Sequence, residues 1–158
     1  MTWLPFFQWC EDTALGTAIR GSQWLFPVIE SCHLVAFAVL GGAVLMVDLR
    51  LMGSGLRRHP AGELAREAQP WLIGSLAVML TTGTLLFFSE AVKCYYSNPF
   101  WVKMTSLLLA IVFTFTVRRR VLRASPESVG RWSIPVALIS LVLWGGVAWG
   151  GRWIGFSG

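Results

Sequence analysis

Five ionisable side chains occur inside or at the ends of long apolar stretches of this 158-residue chain: Glu30, His33, Glu90, Lys93 and Lys103. Charged groups are expensive in a hydrocarbon environment, and those that occur there commonly serve a function. If the apolar stretches form a bundle, all five side chains are expected near the outer side of a membrane. The cluster is then either a cofactor or ion site, or a set of ion pairs that holds helix ends together.

One hypothesis for this cluster is a haem b site with His33 as an axial ligand. His33 lies inside the first apolar stretch, whereas the second histidine, His59, lies in a connecting segment. Gly41 lies eight residues after His33 on roughly the same helical face, where a small residue would admit a flat macrocycle. Because haem b usually takes a second ligand, Met104 or a residue of another subunit would have to complete the site.

A second hypothesis is a quinone or quinol pocket near the outer surface. His33 and Glu30 lie three residues apart on one helix face, and both could accept a proton from a quinol. Glu90 and Lys103 are expected on the same side of the membrane. The aromatic residues that could stack on the quinone ring are Phe88, Tyr95, Tyr96 and Trp101.

A metal ion is the third hypothesis. The motif Glu30-x-x-His33 has the spacing of a half-site in carboxylate-bridged di-metal proteins, which makes His33 the candidate metal ligand. Such sites need two of these motifs, and the sequence contains one.

The three cysteines are Cys10, Cys32 and Cys94, and no C-x-x-C motif occurs. A zinc site is therefore disfavoured. Cys10 and Cys94 are both expected on the outer side, where a disulfide would join the N-terminal segment to the second loop. Cys32 is expected to be a buried small residue.

The composition excludes a water-soluble enzyme and a disordered chain. Hydrophobic residues make up 55% of the chain and charged residues 13%, about half the share of charged residues in soluble proteins. Four apolar blocks, residues 27–47, 71–91, 100–117 and 134–151, are long enough to cross a bilayer as helices. Residues 2–22 mix aromatic and charged side chains, as in an amphipathic helix at the outer interface. The predicted fold is an all-α transmembrane four-helix bundle formed by one domain.

The distribution of arginines predicts the orientation of the bundle. The connections after the first and third blocks are rich in arginine, so both are expected on the cytoplasmic side. Both termini and the second loop then face the periplasm of a bacterial inner membrane. The net charge of +5 is explained by these loops and gives no reason to expect nucleic-acid binding. The loop arginines are Arg50, Arg57, Arg58, Arg66, Arg118, Arg119, Arg120, Arg123 and Arg131.

Other residues suggest helix packing rather than chemistry. Gly146 and Gly150 have a spacing that lets helices approach closely, inside the bundle or against another subunit. The polar run from Thr81 to Thr84 is expected to make interhelical hydrogen bonds. Asp48 is expected to pair with a basic residue at another cytoplasmic helix end, such as Arg118 or Arg119.

Three segments resemble a family of uncharacterised four-helix bacterial inner-membrane proteins. They read HLVAFAVLGGAVLMVDLRLMG at residues 33–53, NPFWVKMTSLLLA at 98–110 and GGRWIGF at 150–156. In layout, that family is similar to copper-resistance-D-type and small b-type cytochrome membrane proteins. Many of the relatives have a histidine at the inner end of the third helix, where this chain has Thr114, Phe115 and Thr116. The resemblance therefore implies that a haem ligand of the relatives is missing here.

These observations predict a non-catalytic structural or accessory subunit of a larger, redox-type membrane complex. Its partners are then the lipid bilayer and other membrane subunits or a second copy of the chain. The alternative is an electron-transfer protein that binds haem b or quinone near His33. A transporter is disfavoured, because no charged residue is expected at the middle of the membrane.

Overall fold

The computed structural model describes residues 3–53, 60–123 and 126–155, and no strand occurs in those ranges. The helices are α1 (Leu4–Glu11), α2 (Ala14–Gly21), α3 (Leu25–Leu51), α4 (Ala61–Ser89), α5 (Ala91–Tyr96), α6 (Asn98–Phe113), α7 (Arg119–Arg123) and α8 (Pro126–Ile154). A π-helical turn, Thr114–Arg118, joins α6 to α7. The predicted residues His59, Arg57 and Arg58 lie outside the described ranges.

Four helical segments are long and apolar enough to cross a membrane: Leu25–Leu51, Ala61–Ser89, Asn98–Arg123 and Trp132–Ile154. The prediction of an all-α bundle with four spanning helices is confirmed, and the chain is a multi-pass membrane protein.

The helices extend beyond the predicted apolar blocks. Helix α4 begins at Ala61 rather than residue 71, because the preceding segment is rich in residues that favour helix. Helix α8 begins at Pro126 rather than residue 134. A proline is readily accommodated at the first position of a helix, where its missing N–H has no partner to lose.

The spanning helices pack in the order α4, α3, α8 and α6. Helix α3 contacts both α4 and α8, and α8 contacts α6. The buried face of α3 includes Leu40, Val44 and Val47, each at most 1% exposed. These residues recur at helical spacing, and together with Met79 and Trp144 they form the core of the bundle.

Two glycines of α8 allow its close contact with α6. A Cβ atom at Gly146 would lie 2.6 Å from Ser106 Oγ, and one at Gly150 would lie 2.8 Å from the Pro99 carbonyl oxygen. Any larger side chain would force these two helices apart. The sequence leaves two packing partners open for Gly146 and Gly150, which are the bundle itself or another subunit. In the structure both glycines pack inside the bundle, against α6.

The N-terminal segment is two helices rather than the single helix predicted over residues 2–22. A turn at Asp12 and Thr13 separates α1 from α2, and the Thr13 hydroxyl accepts a hydrogen bond from the Gly16 N–H at 3.2 Å. Gly16 lies directly against the Phe88 carbonyl, where no side chain would fit. Since a threonine cap starts a new helix, the segment folds back across the end of the bundle where α4 ends and α5 begins.

A buried ion pair joins α3 to the π-helical turn at the inner end. Arg118 Nε donates to Asp48 Oδ1 at 2.8 Å, and Arg118 Nη2 donates to the Val44 carbonyl at 3.2 Å. Both residues are nearly inaccessible, with Asp48 0% and Arg118 3% exposed. The sequence predicted this partner for Asp48, and the prediction is confirmed.

Replacing Arg118 with methionine is expected to lower the free energy of unfolding by about 3–5 kcal/mol, because Asp48 would be left buried without a countercharge. Denaturation with SDS in mixed micelles measures this change. The matched control is Arg120→Met, since Arg120 is an exposed arginine two residues further along. The double variant Asp48→Leu, Arg118→Met should recover most of the loss. Equal stability of Arg118→Met and Arg120→Met would contradict the importance of the pair.

Candidate functional site

The structure distributes the five predicted outer charges over several contacts. Glu30 is exposed on α3, and Glu90 Oε2 lies 3.6 Å from Lys93 Nζ. The Lys103 side chain lies along α8, with Nζ 3.7 Å from a Cβ position at Gly151. His33 faces α4, within electrostatic range of Lys103. Only part of the predicted cluster therefore comes together.

His33 is held in one orientation by two residues of α4. Its Nδ1 lies 2.9 Å from Thr82 Oγ1, and the Thr82 hydroxyl lies 2.7 Å from the Val78 carbonyl oxygen. The hydroxyl has one proton and donates it to the carbonyl, so His33 donates its Nδ1–H to Thr82. Gly83 leaves room for the ring, since a Cβ atom there would be 3.1 Å from His33 Cε1. In this tautomer the lone pair of the imidazole lies on Nε2.

The structure supplies only part of a haem or metal ligand set. Among the described residues, no group of three or more His, Cys, Asp or Glu side chains could hold a metal ion. Met104, the predicted second axial ligand, is 43% exposed on α6. No other part of the described chain comes within 4 Å of a Cβ position at Gly41. Within the described ranges, His33 is thus an oriented imidazole outside any cluster of three or more metal-ligating side chains.

Two of the four aromatic residues predicted to stack on a quinone, Tyr95 and Trp101, contact α1, whereas Tyr96 is exposed. The ring of Phe7 lies 5.1 Å from that of Tyr95 and 6.1 Å from that of Trp101. Trp101 Nε1 donates to the Tyr95 carbonyl at 3.2 Å. Sequence reasoning missed Phe7 as a member of this cluster. The sequence signal that could have identified Phe7 is its spacing from Cys10. The two buried residues of α1 lie three apart and therefore share one face of the helix.

A polar contact that the sequence analysis also missed ties the N-terminal helices to α4 and α5. Glu11 Oε1 lies 2.7 Å from Arg20 Nη1, and Glu11 Oε2 accepts the Val92 N–H at 2.6 Å. Arg20 in turn donates to the Ser89 carbonyl at 3.3 Å. One carboxylate thus bridges α2 and the first turn of α5, where a free N–H group needs an acceptor.

The cysteines differ from the sequence prediction. Cys10 and Cys94 are both buried and both free, so the bridge predicted between them is not formed, and Cys32 is exposed rather than buried. Cys94 lies among charged groups that include Glu90 and Lys103. Burial is the main cause that raises the pKa of the Cys94 thiol to about 11, and it also raises the pKa of Cys10.

An open groove of about 870 Å³ runs between α3 and α4 on the outside of the bundle. Small side chains form much of its surface: Ser31, Cys32, Ala36, Gly74 and Ser75. The Ser31 hydroxyl donates to the Pro27 carbonyl at 2.7 Å, and the Ser75 hydroxyl donates to the Trp71 carbonyl at 2.6 Å. Both hydroxyl protons are therefore bonded within their own helices, and the groove presents an almost entirely apolar surface.

The fold and these sites define a small multi-pass α-helical membrane protein with an oriented histidine and an apolar lateral groove. The chain belongs to DUF6644, a family of unknown function whose model matches residues 6–157. This agrees with the resemblance to an uncharacterised family and shows no link to copper-resistance or cytochrome proteins. No curated protein and no solved structure matches the chain.

The intact mass of the protein purified without reductant is expected to equal that of the fully reduced chain, since all three thiols are free. At pH 8, three units below the Cys94 pKa, about one Cys94 thiol in a thousand is ionised. Iodoacetamide should therefore leave Cys94 unmodified in the folded protein and modify it after unfolding in SDS. A mass lower by two hydrogens, or rapid labelling of Cys94 in the folded protein, would contradict the structure.

Proposed function

We propose that this protein is a non-catalytic subunit of a larger membrane complex, and that it holds a helix of another membrane protein in the groove between α3 and α4. The groove is the observation that supports this proposal. Small residues on both of its walls would let a third helix approach the backbone closely, which is how helices associate in lipid.

The dimensions of the groove suit a helix. Its lining residues extend from Ser31 to Val39 on α3 and from Pro70 to Val78 on α4, which is about two helical turns on each wall. A Cβ atom at Gly74 would have no other part of the described chain within 4 Å. Close contact within the bundle therefore does not account for the glycine at this position, whereas the approach of a partner helix does.

We further propose that the protein resides in a bacterial inner membrane with both termini in the periplasm. Support comes from the positions of the basic residues, because Arg66, Arg118 and Arg123 lie at one end of the spanning helices. Cytoplasmic ends carry such an excess of arginine. A reporter fused to the C-terminus, active only in the periplasm, tests this orientation.

A photo-crosslinking amino acid at Val35, inside the groove, is expected to capture one defined membrane protein in native membranes. The same amino acid at Val142, which is 73% exposed on α8, serves as the control. The substitution Gly74→Leu fills the groove and should obstruct packing of the partner helix. The binding free energy is then weakened by about 1–3 kcal/mol, which lowers the yield of the adduct about tenfold.

Gly145→Leu is the matched control for that substitution, because Gly145 is also an exposed helical glycine with nothing within 4 Å of its Cβ position. It should leave the adduct unchanged. Adducts formed with lipid alone, or an equal loss in both glycine variants, would rule out the groove as a helix-binding site.

A second candidate function, quinol binding near the outer surface, is favoured by the orientation of His33. With Nδ1–H bonded to Thr82, Nε2 is free to accept a hydrogen bond and then a proton from a quinol hydroxyl. The imidazole of His33 then acts as a general base.

Decylubiquinol is the probe for this second function, and calorimetry in detergent measures its binding. Loss of a hydrogen bond costs about 0.5–1.5 kcal/mol, so His33→Ala should weaken binding up to about tenfold. Cys32→Ala, on the adjacent position of α3, should leave binding unchanged. Equal binding by wild type and His33→Ala would exclude the quinol site.

A reduced-minus-oxidised spectrum of the same preparation tests for haem, whose α-band would disappear in His33→Ala.

A further inference from the structure

A second cavity, of about 300 Å³, lies at the inner end of the bundle between the first turns of α4 and the segment formed by the π-helical turn and α7. Four arginines line it: Arg66, Arg118, Arg119 and Arg123. No carboxylate of the described residues belongs to its lining. The cavity is therefore strongly basic.

The charge of the cavity is only partly neutralised. Asp48 compensates Arg118, whereas Arg66, Arg119 and Arg123 make no ion pair with any residue in the described ranges. The acidic residues of the same part of α4, Glu63 and Glu67, are exposed and lie outside the lining. About three positive charges thus face one small volume without a countercharge from the part of the chain that the structure describes.

Local backbone geometry brings these arginines together. Arg119 and Arg123 lie four residues apart and share one face of α7. The π-helical turn before them changes the rotation of α7 relative to α6, and such turns frequently occur at functional sites. Gly62 lets α7 approach α4 closely, because a Cβ atom there would be 3.0 Å from the Leu122 carbonyl oxygen. The backbone that carries these arginines is in this way held beside α4, and Arg66, Arg119 and Arg123 are exposed at the mouth of the cavity.

The remaining walls of the cavity are mostly apolar, and Gln69 and Thr114 are the other polar residues in the lining. Leu72 and Phe115 continue the lining toward the middle of the membrane. Guanidinium groups bind phosphate oxygens in pairs of parallel hydrogen bonds. An arginine cluster at the end of spanning helices, continued by apolar walls, matches a molecule with a phosphate group and a hydrocarbon chain.

We propose that this cavity binds the phosphodiester headgroup of an anionic phospholipid, with the acyl chains running along Leu72 and Phe115. The proposal needs no partner protein, and it is independent of the groove between α3 and α4. Inorganic phosphate carries the same negatively charged oxygens but would gain nothing from the apolar walls. Competition between inorganic phosphate and the lipid therefore distinguishes the two ligands.

Native mass spectrometry of the full chain, released from micelles containing equal amounts of phosphatidylglycerol and phosphatidylcholine, tests the proposal. The wild type is expected to retain one phosphatidylglycerol in preference to phosphatidylcholine. Each arginine near a membrane surface is worth about fivefold in binding, so Arg119→Gln, Arg123→Gln should lower retention about twentyfold. Ala65→Phe, which fills the cavity without changing the charge, should also displace the lipid.

Arg120→Gln is the matched control, because Arg120 is exposed on α7 and lies outside the cavity lining. It should retain the lipid as the wild type does. Melting temperatures in phosphatidylcholine alone verify that each variant is folded. An equal loss in Arg120→Gln would show a diffuse surface charge effect and overturn the proposal. Displacement of the lipid by millimolar inorganic phosphate would identify a free-phosphate site and also overturn it.

Discussion

The absence of water from the hydrocarbon core requires each polar group of a spanning helix to find its partner inside the protein. The hydroxyls of Thr81 and Thr84 meet this requirement within α4, by donating to the carbonyls of Ala77 and Leu80. His33 meets it between two helices through Thr82. Because the contact of His33 joins two helices, it fixes the rotation of α3 relative to α4, whereas the threonine hydroxyls only satisfy themselves within α4.

The pair between Asp48 and Arg118 is the strongest case of this constraint. It connects α3 to the end of the third span, two elements that are otherwise separated by α8 in the packing order. Asp48 neutralises Arg118 alone, so Arg119 and Arg123 of α7 keep their charge for the basic cavity beside them. Trp144 of α8 donates to Thr114 at 3.3 Å and so anchors the beginning of the π-helical turn. The inner cavity therefore depends on contacts made by α3, α6 and α8.

The sequence predicts those features that follow from a local pattern of residues or from the high free energy of burying a charge without a partner. Four apolar blocks predict four spans, and the cost of an isolated charge predicts a basic partner for Asp48. The rotation of each helix is not encoded locally, so the sequence could not show that His33 faces Thr82 while Glu30 faces outward. Hydropathy also identifies the apolar part of a helix but not its continuation into the interface. For that reason the early start of α4 and the π-helical turn at Thr114 were missed.

The contact between Glu11 and Val92 has a consequence for the biosynthesis of the protein. The two residues are separated by 81 positions, so Glu11 is synthesised well before α5, which supplies the N–H group that it binds. Phe7 likewise waits for Tyr95 and Trp101. Helices α1 and α2 therefore reach their final places late, after the second span has been inserted. Their docking completes the end of the bundle at which α4 meets α5.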